Sequence, residues 1–303
     1  MGRICRQTLS QAYEKTECRC CRRRVKAGGN AKDGYDIREA FWRPVCLIVR
    51  IRRYSLANGQ GNGYNNGMDM QRILSPLRRA AEDHSMFADG DRVAVGLSGG
   101  KDSSVLLAAL AAFRRFSPAK FELSAVTIDS GAGADFTPLA EFCDRLGVKY
   151  VVEKTDIYEI VFNVRKEKNP CSLCAKMRRG ALASVLNREG CNKLALGHHA
   201  DDVAETLIMS MIYEGRISTF KPVSHMSRSG VTVVRPLIYA DEKDIAALCA
   251  EEKYPVVKNP CPAGSDSRRA YIKSLLRTLD RENGYIPRSR WKGGCSAAGS
   301  VRS

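Results

Sequence analysis

Residues 92–107 read RVAVGLSGGKDSSVLL, and the change of character in mid-stretch decides the fold. The run 92–97 is short and apolar, with Val93 and Val95 flanking Ala94, as expected of a buried strand. Residues 104–111, SVLLAALA, read as a helix facing a core. Between them stand Ser98, Gly99, Gly100, Lys101, Asp102 and Ser103. A flexible, charged piece therefore sits where strand becomes helix, which in open α/β sheets is where ligands bind.

The same alternation continues on both sides of this stretch. Helices are predicted over 70–84, 103–115, 139–146, 172–187, 202–213, 242–253 and 267–282. Strands are predicted over 92–97, 122–129, 148–153 and 193–196, with 231–234 extended. Strands separated by helices of crossover length imply an α/β, Rossmann-like fold: a parallel sheet with helices on both faces.

Residues 68–285 form the expected domain. Residues 1–67 show no sustained period and include the run NGQGNGYNNG at 58–67, too polar to bury a core. They are read as a basic extension, flexible or preceding the true start. A zinc knuckle on its Cys18, Cys20 and Cys21 is a minor reading, since they lack the usual paired two-residue spacing. Residues 286–303 are read as a flexible basic tail. The net charge of +16 points to an acidic partner such as nucleic acid. Its distribution weakens that inference, because residues 1–67 hold 14 Lys and Arg against 5 Asp and Glu, whereas residues 68–285 hold 31 against 28. No apolar run approaches the ~20 residues of a membrane span, and no secretory signal is evident. The cysteines are therefore expected in a reducing cytoplasm, where close spacing suggests metal or sulfur chemistry.

The opening loop has the chemistry of an anion cradle. Short residues let the backbone wrap an anion with its N–H groups, and the following helix adds its positive dipole end. Lys101 supplies charge, and Ser98 and Ser103 supply hydroxyls. Asp102 would repel a bare phosphate, so it implies Mg²⁺ nearby or a helix cap. The spacing is not that of a Walker loop, since Asp follows the Lys.

Two further stretches carry candidate groups. In NPCSLCAKMRRGAL, 169–182, Cys171 and Cys174 share one face of a first helical turn beside three basic residues, which favours thiolates. Cys261 follows a second Asn-Pro pair. Three thiolates suit an iron–sulfur cluster with one open iron, whereas zinc would want four ligands; a redox dithiol or half of a zinc site is the other reading of the pair. In LGHHADDVAETL, 196–207, a strand ends at the same sheet edge and Asp201 and Asp202 open a helix. Either could bind Mg²⁺ or move a proton, and either could cap the helix. His198 would orient that turn. Asp129, at another strand end, would face a nucleotide or cap its own loop.

The order GDRVAVGLSGGKDS, CSLCAKMRRGAL, LGHHADDVAETL, VVRPL and NPC resembles the tRNA-cytidine 2-sulfurtransferases, within the ATP pyrophosphatase (PP-loop) superfamily, over residues 70–285. That resemblance implies an adenine nucleotide alpha hydrolase-like fold. It implies ATP and Mg²⁺ at residues 98–103, with Lys101, Asp102, Asp201 and Asp202 as catalytic candidates and Asp129 and His198 beside the nucleotide. It also implies a [4Fe-4S] cluster on Cys171, Cys174 and Cys261. The implied reaction adenylates O2 of a cytidine in the tRNA anticodon loop and replaces that oxygen with sulfur. Sulfide or a cysteine desulfurase would be the sulfur donor. The oligomeric state is open, a homodimer included. Rival readings are thiolation of another nucleotide, a tRNA ligase that adenylates and adds an amine, a persulfide enzyme without iron, and a non-catalytic RNA-binding or redox-sensing protein. The segment after Cys261, Pro-Ala-Gly-Ser, lacks the second cysteine of some relatives.

Overall fold

The computed structural model describes residues 70–165, 170–227, 229–257 and 267–283. The sequence-based extension, the tail and Cys261 lie outside them. Helix α1 (Gln71–Asp83) leads into β1 (Arg92–Gly96), α2 (Lys101–Phe113), β2 (Glu122–Asp129), α3 (Thr137–Arg145) and β3 (Lys149–Lys154). A π-helical turn (Glu159–Val164) precedes α4 (Pro170–Arg188) and β4 (Lys193–Ala195). Then come α5 (Ala200–Glu214), β5 (Val223–His225), β6 (Thr232–Val234), α6 (Glu242–Glu251) and α7 (Ser267–Asn283).

The strands form one sheet in the order β3-β2-β1-β4-β6-β5. β1 pairs in parallel with β2 and β4, β2 with β3, and β4 with β6; only β5 runs antiparallel, against β6. The chain thus winds outward from β1 through β2 and β3, then returns to place β4 on the other side of β1. The crevice between the carboxyl ends of β1 and β4 is a topological switch point, the place where such sheets bind ligands.

Side chains alternate across the pleat, so Val93, Val95 and Leu97 enter one core and Ala94 enters the other. The first core is covered by α1, α2, α3 and α6. Helix α2 lies deepest: Val105, Leu106, Leu107 and Leu110 have no exposed surface. Each fully buried side chain of this size contributes about 1.5–3 kcal/mol, which fixes the helix and the loop before it. The second core is covered by α4 through Val185 and Leu186. Helices α5 and α7 pack on each other through Ala204, Ile272 and Leu276.

The predicted strands and helices are all present, with ends shifted by a few residues. Two elements were not anticipated. β5 has only three residues, too few to show a period of two. The π-turn buries Val161 alone, so its sequence carries little amphipathic pattern.

Candidate active site

The loop after β1 takes the shape its composition demands. Gly99 has φ of +83°, a left-handed conformation that side chains disfavour, and its carbonyl accepts a 2.9 Å hydrogen bond from the Val257 amide. Gly100 is the N-cap of α2. The Ser103 hydroxyl donates to the Gly100 carbonyl (2.8 Å) and accepts from the Ser98 amide (3.2 Å), while the two serine hydroxyls lie 3.2 Å apart. Ser98 borders a cavity of about 570 Å³, a size ordinary for small-molecule sites.

Across the crevice, the turn after β4 comes very near this loop. A Cβ on Gly197 would lie 3.0 Å from the Asp102 carbonyl carbon and oxygen, so only glycine fits without movement. The next residue, His198, lines the cavity, while His199 is buried among carboxylates. His199 Nε2 lies 3.7 Å from Asp102 and 3.5 Å from Asp202, and its Nδ1 lies 3.8 Å from Asp201. Asp202 accepts a 3.1 Å bond from the His199 amide and so caps α5. Asp201 accepts a 2.7 Å bond from the Glu242 amide, in the first turn of α6. Both carboxylates therefore tie the turn after β4 to its surroundings. Asp129 accepts from the Gly131 amide at 2.9 Å and shapes its own loop, while its neighbours Ile128 and Ser130 line the cavity.

Lys101 is held by two carboxylates, Asp102 Oδ1 at 2.9 Å and Glu242 Oε1 at 3.0 Å. Burial works against the ammonium, but these partners outweigh it and raise the Lys101 pKa above its ordinary value. Glu242 also accepts from Lys273 Nζ at 2.6 Å. Burial disfavours its ionised form, yet Lys273 and Lys101 hold its pKa at about 2. Arg269 binds Glu205 at 3.1 Å and lies 3.6 Å from Asp202, extending the charged network onto α7. Glu242, His199 and Arg269 were not singled out from sequence.

The cavity is mostly apolar, walled by Val126, Ile128, Leu194, Leu196 and Val233, but polar groups project onto it. Arg178 on α4 donates to Ser130 Oγ at 3.3 Å, while its Nε is buried with no hydrogen-bond partner among the described residues. His198 Nδ1 is in the same state. Burial, reinforced by the positive charge of Arg235, lowers the His198 pKa to about 4 despite the opposing pull of Asp202, so its imidazole is neutral at pH 7. Buried polar atoms normally find partners, and orphans on a cavity wall fit a polar ligand there.

Cys171 and Cys174 stand on the first turn of α4, and Arg178 follows Cys174 by roughly 6 Å and Cys171 by roughly 10 Å along the helix axis at the usual rise. Both thiols are free and reach the surface, unlike the buried Cys143, Cys191 and Cys249. Burial pushes the Cys143 thiol up to about 11, which suits an inert core residue. The pair is thus available as metal ligands, on the helix that walls the cavity. Among the described residues no three His, Cys, Asp or Glu converge on a metal position.

A Gly- and Ser-rich loop follows the first strand at the switch point of a parallel sheet, and a family model described as "PP-loop domain" matches residues 70–279, which places the chain in the PP-loop class. Over 223 residues the chain is 40% identical to the tRNA-cytidine(32) 2-sulfurtransferase of Geobacter sulfurreducens, a match spanning 72% of this chain and 87% of that protein. It is 36% identical to the protein of the same name from Marinobacter nauticus, over 71% of this chain and 74% of that one. Among solved structures it is similar to the U34-tRNA thiolase NcsA from Methanococcus maripaludis with its [4Fe-4S] cluster, at 26% identity and TM-score 0.59 over 73% of this chain and 75% of that one. The chain belongs to the tRNA-cytidine(32) 2-sulfurtransferase family, a family of transferases.

Proposed function

We propose that this protein uses ATP to convert a cytidine of the tRNA anticodon loop, position 32 as in the relatives' name, into 2-thiocytidine. The observation that carries this is the convergence of three parts at one crevice. The phosphate loop after β1 and the glycine turn after β4 meet there, and α4, which walls the cavity through Arg178, carries two free cysteines one and two turns before that residue.

O2 of cytosine is a poor leaving group. Attack of O2 on the α-phosphorus of ATP forms an O2–adenylate and expels pyrophosphate. Attack of sulfide on C2 then expels AMP. The Gly99 and Gly100 amides and Lys101 hold the phosphates and stabilise charge on the departing pyrophosphate. Mg²⁺ keeps several waters and binds through one or two carboxylates plus phosphates, so it would enter with ATP and take Asp102 as its protein ligand. Asp201 and Asp202 act by holding the turn after β4 against the loop. Neutral His198 and the unpartnered Nε of Arg178 offer hydrogen bonds to base or nucleotide within the apolar cavity. The base must leave its stack to enter, as is usual in recognition of single-stranded RNA. Lys176 and Arg179, exposed on α4, supply positive charge for its phosphates.

Cys171 and Cys174 fit a [4Fe-4S] cluster by donor type, spacing and exposure, with Cys261 as the third ligand. When bound, such a cluster supplies an iron that carries sulfur to the activated base. Sulfide or a cysteine desulfurase is the donor, and the cytoplasm is the site of action. No helix among the described residues is long and apolar enough to cross a membrane.

The test is pyrophosphate release by anaerobically purified protein with Mg²⁺, ATP and sulfide. Release that requires tRNA, with 2-thiocytidine appearing in the RNA, is expected. Release without any thionucleoside, or an amine adduct in its place, would refute the assignment.

A further inference from the structure

We infer that Glu242 is a positioning residue for the phosphate loop, restraining Lys101 against the nucleotide, and that Lys273 on α7 sets the strength of that restraint. The inference rests on ATP being the ligand of residues 98–103.

Three features lead to it. Lys101 opens not onto the apolar cavity but onto a second hollow of about 410 Å³ lined by residues of α5, α6 and α7, including Glu242 and Lys273. There its ammonium sits between Asp102 and Glu242 at 2.9 and 3.0 Å, two negative charges around one positive. A phosphate arriving at the loop must therefore compete with a carboxylate for the lysine. Finally, the oxygen that holds Lys101 is the same Oε1 that Lys273 approaches at 2.6 Å. One oxygen shared by two ammonium groups is a balance: whatever weakens one contact strengthens the other.

Lys273 also makes release tolerable. When Lys101 turns to a phosphate, Glu242 would otherwise remain as a half-buried charge with a lost partner, which is costly. Lys273 stays behind to neutralise it. Helix α7 begins at Ser267, six residues beyond Cys261 in sequence. The relay thus joins the nucleotide loop to the helix that follows the third cysteine.

The two ends of the balance predict opposite signs. Glu242→Gln keeps the side-chain shape and removes one of the two negative charges on Lys101, leaving it Asp102 alone, so the ATP dissociation constant falls by roughly fivefold, the scale of a part-exposed ion pair. Lys273→Met leaves Glu242 to Lys101 alone, so the constant rises by roughly the same factor. In the double variant the effect of Lys273→Met disappears, because its only route to Lys101 is gone. The measurement is isothermal titration of MgATP into the anaerobically purified full chain, with thermal melts alongside. A merely structural role would weaken binding in both single variants and lower both melting temperatures; that outcome overturns the inference. So does an effect of Lys273→Met that persists with Gln at 242, which would mean Lys273 touches the phosphates itself. A wild-type chain that binds no ATP would instead overturn the functional reading on which the inference rests.

Discussion

Replacing Gly197 with alanine tests how closely the two turns of the crevice depend on each other. Gly197 is not in the left-handed region, so alanine is compatible with its backbone. The obstacle is the neighbour. The new Cβ would lie 3.0 Å from the Asp102 carbonyl carbon and oxygen and 3.2 Å from the Ser103 nitrogen. Carbon atoms at rest stand about 3.5–4.0 Å apart, so the two turns must separate by about half an ångström. All three contacts are backbone atoms in the first turn of α2, and no rotamer change can relieve them. Overpacking of this kind costs about 1–3 kcal/mol. In a domain of this size that is a fall of roughly 2–12 °C in melting temperature. Misplacing a catalytic group by 1 Å can cost 10²-fold, so half that displacement predicts roughly a tenfold loss in kcat/KM. The assays are a thermal melt and tRNA-dependent pyrophosphate release. A Gly197→Ala protein with unchanged melting temperature and unchanged turnover would refute the close approach of β4's turn to the phosphate loop.

Two further outcomes are expected. Cys171→Ser and Cys174→Ser each remove most of the iron and acid-labile sulfide from anaerobically purified protein. The melting temperature of the iron-free chain moves by no more than about 0.5 kcal/mol would imply, because neither thiol is in the core. The second concerns acid. His198 has an ordinary pKa of 6.5 that falls to about 4 in the fold, so on acidification the unfolded chain takes up a proton first. Its contribution is intact above pH 6.5 and is lost as pH falls towards 4, a total of about 3 kcal/mol. Glu242, lowered from 4.5 to about 2, adds a loss of the same sign between those values. Denaturant titrations of His198→Phe should show a flatter decline between pH 6.5 and 4.5; an unaltered slope would mean that His198 titrates normally.

Much of the fold was legible because its largest signals are local. The middle of β1 is a continuous apolar run, and the strands and helices alternate at crossover length, so a parallel sheet covered on both faces follows from the sequence. β5 left no such signal, with three residues pairing antiparallel at the sheet edge. The loop at 98–103 was legible because its glycines and serines have few other uses between a strand and a helix. The charged network behind it was not. Glu242 opens α6, where an acidic residue is explained by the helix dipole alone, and its pairing with Lys101 spans 141 residues of sequence. His199 illustrates the same limit. Two adjacent histidines look equivalent in sequence, yet one lines the cavity and the other is buried among three aspartates. A long-range contact of this type leaves no mark on the spacing of residues.

The most direct measurement is mass spectrometry of nucleosides from the tRNA of a strain deleted for this gene. Loss of 2-thiocytidine, restored by the wild-type chain and not by Cys171→Ser or Lys101→Ala, is the expected result. A deletion strain that keeps its full complement of 2-thiocytidine would contradict the proposal that ATP and sulfur chemistry meet in this crevice.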